Sequence, residues 1–370
     1  MTATIDSPRP DLFPPGEYIR DELEARGWTQ EDLAAILGRP LSAVNQIIKG
    51  NKAITPQTAR ELAAAFGTSA ELWLNLENAY RLGLSRQETA EVSKRARLYE
   101  LAPLKEMIRR GWIPPHEDAD DLELAVLAFF EIRSIDEKPR MNHAASKSSS
   151  YAGTTPRQLA WYFRAKHLAA TQKVRRFDEA RLRQRLPHVR GLAATVEDLA
   201  KLPELLAEMG IRFVLVEQLQ GSRIDGATLW IDDASPVIAL SLRFDRIDGF
   251  WHTLAHELMH VLHRQTAIDI DMIQKDSRSA SPKPAVEDQI DREASRFLIP
   301  PKEIQAFIGH FGDRIPKHGI TNFARHLGVH PGVVVGQLHF RQSMPYTHCR
   351  GMLVGVREWL APAATTDGWA

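Results

Sequence analysis

Apolar positions near the start of the chain come in short blocks at helical spacing, separated by glycine and by capping residues. Tyr18, Ile19 and Leu23 share one face of Gly16 to Arg26. Thr29-Gln30-Glu31-Asp32 opens a second block through Leu33, Ala34, Ile36 and Leu37 that Gly38 closes, with Thr29 and Asp32 spaced as an N-cap pair. A third block, Leu41 to Lys49, follows Arg39-Pro40 and stops at Gly50, and Thr55-Pro56 caps a fourth that runs to Gly67. This spacing predicts a helix-turn-helix bundle. In the third helix Val44, Ile47 and Ile48 face the core, which leaves Ser42, Ala43, Asn45, Gln46 and Lys49 outside. Those side chains are short or polar and suit base edges in a major groove; Gln30, at the start of the second helix, joins them.

Farther along, the pattern is less specific. Leu84 to Ile113 is rich in Arg, Lys and Glu and reads as helix, Leu122 to Phe130 as a short apolar helix, and Ala144 to Thr155, with its Ser-Lys-Ser-Ser-Ser run, as a flexible junction. Leu159, Trp161, Tyr162, Phe163 and Leu168 give the helical stretch from Arg157 to Thr171 a core face, and helix continues with breaks to Met209. The period then changes. Ile211 to Val216, Thr228 to Ile231 and Val237 to Leu242 read as strands, and Phe250, Trp251, Leu254, Leu258, Val261 and Leu262 return to helical spacing. Lys302 to Phe307, Ile320 to Leu327 and Pro331 to Phe340 are further helices. The expected fold is α+β and mostly helical: an N-terminal all-α helix-turn-helix bundle over 1–82, a helical linker region over 83–155, an α+β domain over 156–345 and a C-terminal tail over 346–370.

The helix behind the strands carries His256-Glu257-Leu258-Met259-His260. Residues four apart lie on one helix face, so both imidazoles reach a single ion, and Glu257 sits beside it to take a proton from an activated water. A buried helix does not leave polar rings unpaired, since each costs about 1–3 kcal/mol, and Zn2+ supplies the partner. Zinc in such a site takes a third protein ligand. A metzincin continuation requires glycine and histidine where His263 and Thr266 stand, so that reading fails. Downstream, Val286, Ile290, Ala294, Phe297 and Leu298 define a second amphipathic helix ended by Pro300. Glu287 near its start is the preferred third ligand, with Asp291 one turn on orienting a ligand histidine through its free ring N–H; Glu293 is the rival. His252 and His263, in the first and last turns of the metal helix, are read as capping residues or as supports around the ligands rather than as ligands. Pro236 to Ser241 reads either as an edge strand that could hold an extended peptide by β-augmentation or as a plain core strand, and Gln265 to Pro284 as a mobile loop. For an oxyanion donor the sequence offers His339, Arg341 or Tyr346 without a means of choosing.

These motifs carry two resemblances. Gly226 to Trp230, Pro236 to Ser241, Arg243, Asp248-Gly249-Phe250-Trp251, the H-E-x-x-H and an E-x-x-x-D-x-x-A run that ends in Phe297-Leu298-Ile299-Pro300 resemble the ImmA/IrrE metallo-endopeptidases over about 130 residues. The resemblance implies that 156–345 is a zincin-like, zinc-dependent metallopeptidase domain that cleaves a repressor partner, with His256, His260 and Glu287 as ligands and Glu257 as general base. Met259 departs from the family, which commonly has glycine there. The run Gly16 to Leu82, including Gly67-Thr68-Ser69 and Leu72 to Tyr80, resembles the HigA antitoxins of the Cro/C1-type repressor class. That resemblance implies operator DNA bound by a homodimer and, in many members, a cognate ribonuclease toxin as partner.

The chain is neutral overall, with 47 basic and 47 acidic residues, so a nucleic-acid partner does not follow from its pI. Locally, Leu33 to Arg60 lacks any acidic residue and contains Arg39, Lys49, Lys52 and Arg60, of which Arg39 and Lys52 are placed as phosphate contacts. A single cysteine, Cys349, excludes an internal disulfide framework. With no signal-peptide pattern and no long apolar run, a cytoplasmic protein without a membrane partner is expected.

Overall fold

The computed structural model describes residues 13–84, 86–140, 154–270, 285–312 and 314–368, and the chain divides into two compact units, Met1–Ala96 and Arg97–Ala370.

The first unit is built from α1 (Pro15–Arg26), α2 (Gln30–Ile36), α3 (Leu41–Ile48), α4 (Pro56–Phe66) and α5 (Ala70–Leu84). Local chemistry sets the boundaries. Thr29 and Asp32 form a reciprocal capping box at α2, Thr55 Oγ1 accepts from Thr58 N–H at α4, and Gly27 and Gly67 close α1 and α4 in the left-handed region. Gly16 lets the start of α1 approach the end of α3: a Cβ there would stand 1.9 Å from Ile48 O. Ile19, Leu33, Val44, Ile47, Leu62, Phe66 and Trp73 fill the core, and the Trp73 indole N–H finds Thr68 Oγ1 at 2.8 Å.

Helix α6 (Arg86–Leu101) contains the division point. The second unit continues with α7 (Leu104–Arg109), α8 (Ala119–Phe130), α9 (Pro156–Ala170), α10 (Glu179–Gly191), a stretch of 3-10 turns and α11 (Leu202–Glu208). Then follow β1 (Arg212–Leu215), β2 (Ile224–Trp230), β3 (Pro236–Leu240), α12 (Ile247–Leu262), β4 (Ala267–Ile270), α13 (Ala285–Leu298), α14 (Pro301–Phe311), α15 (Lys317–Leu327), α16 (Pro331–Phe340), α17 (Arg357–Leu360) and β5 (Thr365–Thr366). The sheet order is β4-β2-β3-β1-β5; β2 runs antiparallel to both neighbours, whereas β1 is parallel to β3 and β5.

Strand alternation divides the core in two. Val214, Ala227, Leu229, Val237 and Ala239 face Trp112, Phe130, Trp161 and Phe163, whereas Phe213, Leu215, Ile238 and Leu240 face Trp251, Leu254 and Leu258 of α12. A sheet covered on both faces reads as continuous apolar runs rather than alternation, which is why β3 is Pro-Val-Ile-Ala-Leu.

Several expectations are corrected here. Pro236 to Ser241 is not an edge: β3 lies between β2 and β1, so its backbone hydrogen-bonding groups are already engaged on both sides and a peptide cannot pair with it. Leu84 to Ile113 is two helices, because Pro103 breaks the run and heads α7. Part of the region expected as linker, Leu98 to Ile132, shares its core with the sheet, and the expected tail supplies β5 and the buried Val356 and Leu360. The Ser-rich junction and most of the segment from Gln265 to Pro284 lie outside the described residues.

Candidate metal centre and nucleic-acid interface

Helix α12 starts where Ile247 N–H donates to Val354 O and runs sixteen residues over the inner face of the sheet. Its His256, Glu257 and His260 are at most 1% exposed. The two histidine Nε2 atoms are 2.9 Å apart, and Glu287 Oε2, from the first turn of α13, stands 3.5 Å from His256 Nε2 and 3.6 Å from His260 Nε2. A point equidistant from these three atoms lies about 1.9 Å from each, close to the 2.0–2.2 Å that zinc takes with nitrogen and oxygen. Outside the triangle, Asp291 Oδ1 is 3.1 Å from His256 Nδ1 and Gln265 Oε1 is 2.9 Å from His260 Nδ1. Acceptors at both Nδ1 positions favour the tautomers that leave both Nε2 lone pairs free to turn inward beside a carboxylate oxygen. Three converging acceptors repel one another and are satisfied together by one cation, so the donor set fits a metal ion.

Glu257 is held from β2. Thr228 Oγ1 lies 2.6 Å from Glu257 Oε2 and donates to Glu257 O at 3.0 Å. Gly226, two residues earlier on the same face, makes room: a Cβ would come within 2.5 Å of Glu257 Oε1 and 2.7 Å of Thr253 Cγ2. The β2–β4 register shifts between Ile224 and Gly226, a bulge beside the site.

Glu293, the rival ligand, is engaged elsewhere. It accepts from His263 Nε2 at 2.8 Å and from Gln289, and although burial alone would raise its pKa, these hydrogen bonds hold it below the usual carboxylate value. His252 lies near the Phe340 ring, 6.1 Å between centroids, and is not one of the converging donors. Met259 is 5% exposed and belongs to the apolar core. His339 and Tyr346 form a cluster of their own with Arg246 and His348.

Sequence reasoning missed three contributors. Gln265, expected to begin a mobile loop, is fixed against His260. Thr228 carries no sequence signal beyond strand propensity. Gly226 did carry one, since an isolated glycine within a strand marks a bulge or a close approach.

In the first unit Ser42, Gln46, Lys49 and Lys52 are exposed, whereas Ala43, Asn45 and Gln30 are half-buried. Asn45 Oδ1 is buried without a hydrogen-bond partner among the described residues. Arg39, expected at phosphate, is instead paired with Glu61 of α4 at 2.7 Å, and its side chain is only 19% exposed. The acid-free window ends at Arg60, one residue short of the carboxylate that neutralises it.

Comparison with known proteins gives each unit a counterpart. Residues 19–73 match a helix-turn-helix family model and residues 207–339 match the IrrE N-terminal-like domain. The chain is 35% identical over 80 residues to virulence-associated protein I of Dichelobacter nodosus, which covers 21% of this chain and 74% of that protein. It is 36% identical over 80 residues to antitoxin HigA-1 of Vibrio cholerae, again 21% of this chain and 75% of the relative. Among solved structures, PA4674 of Pseudomonas aeruginosa, crystallised with its operator DNA, is 32% identical over 20% of this chain and 83% of that one, with a TM-score of 0.20. Among the described residues no helix is long and apolar enough to cross a membrane. The chain therefore belongs to the Cro/C1-type helix-turn-helix regulators that include the HigA antitoxins, and it carries a second domain of the ImmA/IrrE metallopeptidase family.

Proposed function

We propose that this regulator binds double-stranded operator DNA through the module within residues 1–82, and that the domain within residues 156–345 is a zinc-dependent metallo-endopeptidase acting on a protein partner such as a repressor. The observation that carries the peptidase half is the convergence of His256 Nε2, His260 Nε2 and Glu287 Oε2 beside a buried Glu257 with its own hydroxyl partner. Zinc held by those three donors would supply Lewis acidity and lower the pKa of a bound water. Asp291 orients the His256 ring through its Nδ1. Glu257 takes a proton from the attacking water and passes it to the leaving amine.

Thr228 suits that exchange. Its single hydroxyl hydrogen is shared between two acceptors while Glu257 is a carboxylate; once Glu257 is protonated, the carboxyl donates to Oγ1 and the hydroxyl turns wholly to Glu257 O. Both charge states are therefore accommodated without moving a heavy atom. A pure scaffold has no need of such an arrangement.

On the DNA side, Ser42, Ala43, Asn45, Gln46 and Lys49 of α3, with Gln30, are placed as base-reading residues, and Lys52 as a phosphate contact. A homodimer in the cytoplasm is the expected form. The likeness to antitoxin HigA-1 favours a second reading, an antitoxin and autorepressor with a cognate toxin, in which the peptidase fold has lost its activity.

Metal content by mass spectrometry, on the wild-type chain beside His256→Ala and Glu287→Ala, separates the readings. Near one zinc per chain, lost in both variants, supports the peptidase. A wild-type chain that binds no zinc after loading removes it and leaves the autorepressor.

A further inference from the structure

The end of α12 holds a support that the peptidase reading does not require. His263 caps the helix, Arg264 turns into the left-handed region at φ 53°, and Gln265 N–H donates back to His260 O at 2.9 Å. That conformation is uncommon for a residue other than glycine. Here it is fixed from several sides. The Arg264 guanidinium lies over the rings of Trp230, 5.6 Å, and Phe177, 5.8 Å, and donates to Asp233 O, while Trp230 Nε1 donates to Gln265 O at 3.0 Å. The reversal returns the Gln265 side chain to the helix it has just left, where its Oε1 meets His260 Nδ1 at 2.9 Å.

An amide oxygen only accepts, so this contact requires the proton on Nδ1 and leaves the Nε2 lone pair for the donor triangle. The two histidines are thus held unequally, His256 by the carboxylate of Asp291 and His260 by a neutral amide. We propose that Gln265 is a positioning residue of the metal centre that fixes the tautomer and ring orientation of His260. This rests on the metal-centre reading given above and adds to it a residue outside both ligand-bearing helices.

The test uses the full chain with 15N-labelled histidine. In metal-free wild-type protein, imidazole NMR spectra should show His260 as the Nδ1–H tautomer. Gln265→Ala should give a mixture of tautomers and bind zinc about 10–100-fold more weakly in competition with a chromophoric chelator, and Gln265→Glu, which keeps an acceptor at that position, should restore both. An Nε2–H tautomer in the wild type overturns the proposal without any variant, and so does a Gln265→Ala chain with wild-type tautomer and zinc affinity. Failure of the wild type to take up zinc overturns the metal-centre reading instead, and the tautomer spectrum still judges Gln265.

Discussion

Gly226→Ala sets two physical effects of opposite sign against each other. In an open strand, replacing glycine by alanine reduces the entropy lost on folding and gains about 0.4–1 kcal/mol. At this position the added methyl carbon would stand 2.5 Å from Glu257 Oε1, 2.7 Å from Thr253 Cγ2 and 3.0 Å from Leu240 Cδ2. Ordinary contacts begin near 3.4 Å, so β2 and α12 must separate by several tenths of an ångström. Glu257 cannot swing aside cheaply, because it is fully buried and tied to Thr228. Thr253, one turn earlier on α12, blocks the same space, so the helix has to lift rather than rotate. Overpacking of this kind costs about 1–3 kcal/mol, which outweighs the entropic gain. The variant should therefore unfold at lower denaturant with an unchanged m-value. A displacement of about 1 Å at Glu257 should also cut peptidase turnover about 100-fold, while zinc stoichiometry stays at the wild-type level because no ligand touches Gly226. Equal or higher stability in Gly226→Ala would refute the steric account and with it the placement of Glu257 against β2.

Thr228→Val keeps the shape of the side chain but removes the hydroxyl; loss of a charge-assisted buried hydrogen bond should cost about 1.5–3 kcal/mol by chemical denaturation, Thr228→Ser should recover most of it, and a valine variant as stable as wild type would sink the assignment. Glu257→Gln should retain zinc by mass spectrometry and lose cleavage, and retained turnover would remove the base role. His330 caps α16 by accepting Gly332 N–H at Nδ1, and burial holds its pKa below the ordinary value despite Glu197 nearby. Its neutral form is thus favoured in the folded state, so its contribution is full above about pH 6.5 and is lost as pH falls through the depressed folded value. Denaturation midpoints should show wild type losing more stability than His330→Asn between pH 7.5 and 5.5; equal losses would refute the cap. Arg39→Ala should weaken the first unit by about 0.5–1 kcal/mol and leave the salt dependence of DNA binding unchanged, whereas Lys52→Ala should lower that slope by about one; the opposite pattern would return Arg39 to the phosphate surface.

The parts of the site legible in the sequence are those written in helical periodicity. His256 and His260 are four apart on one apolar helix, and Glu287 and Asp291 four apart on the next, so two stripes facing each other bring the two imidazoles and the two carboxylates together. The choice of Glu287 over Glu293 depended on which stripe turns inward, and six residues along the helix Glu293 meets His263 instead. Pairings across the chain were not legible. Nothing near Arg39 announces Glu61, and nothing in Pro236 to Ser241 reveals that β1 runs beside it in parallel. The apolar run there lacks alternation, which points to burial on both faces and so to a central strand, but it does not name the neighbours.

The hidden half of the site follows a different period. Gly226, Thr228 and Trp230 are alternate residues of β2 and share the face turned to α12. The first gives clearance to the Glu257 carboxylate, the second gives it a hydroxyl, and the third pins the backbone of Gln265, which in turn holds His260. One strand stripe thus supports Glu257 at one end and, through Gln265, His260 at the other, so a single strand sets both positions. None of the three is unusual in a strand taken alone, since threonine and tryptophan favour sheets and glycine reads as a weak point. Their common purpose appears only when the two-residue period of β2 is laid against the four-residue period of α12. A perturbation that shifts β2 along its own axis should therefore disturb the base and His260 together, whereas substitutions on α13 should affect metal binding alone.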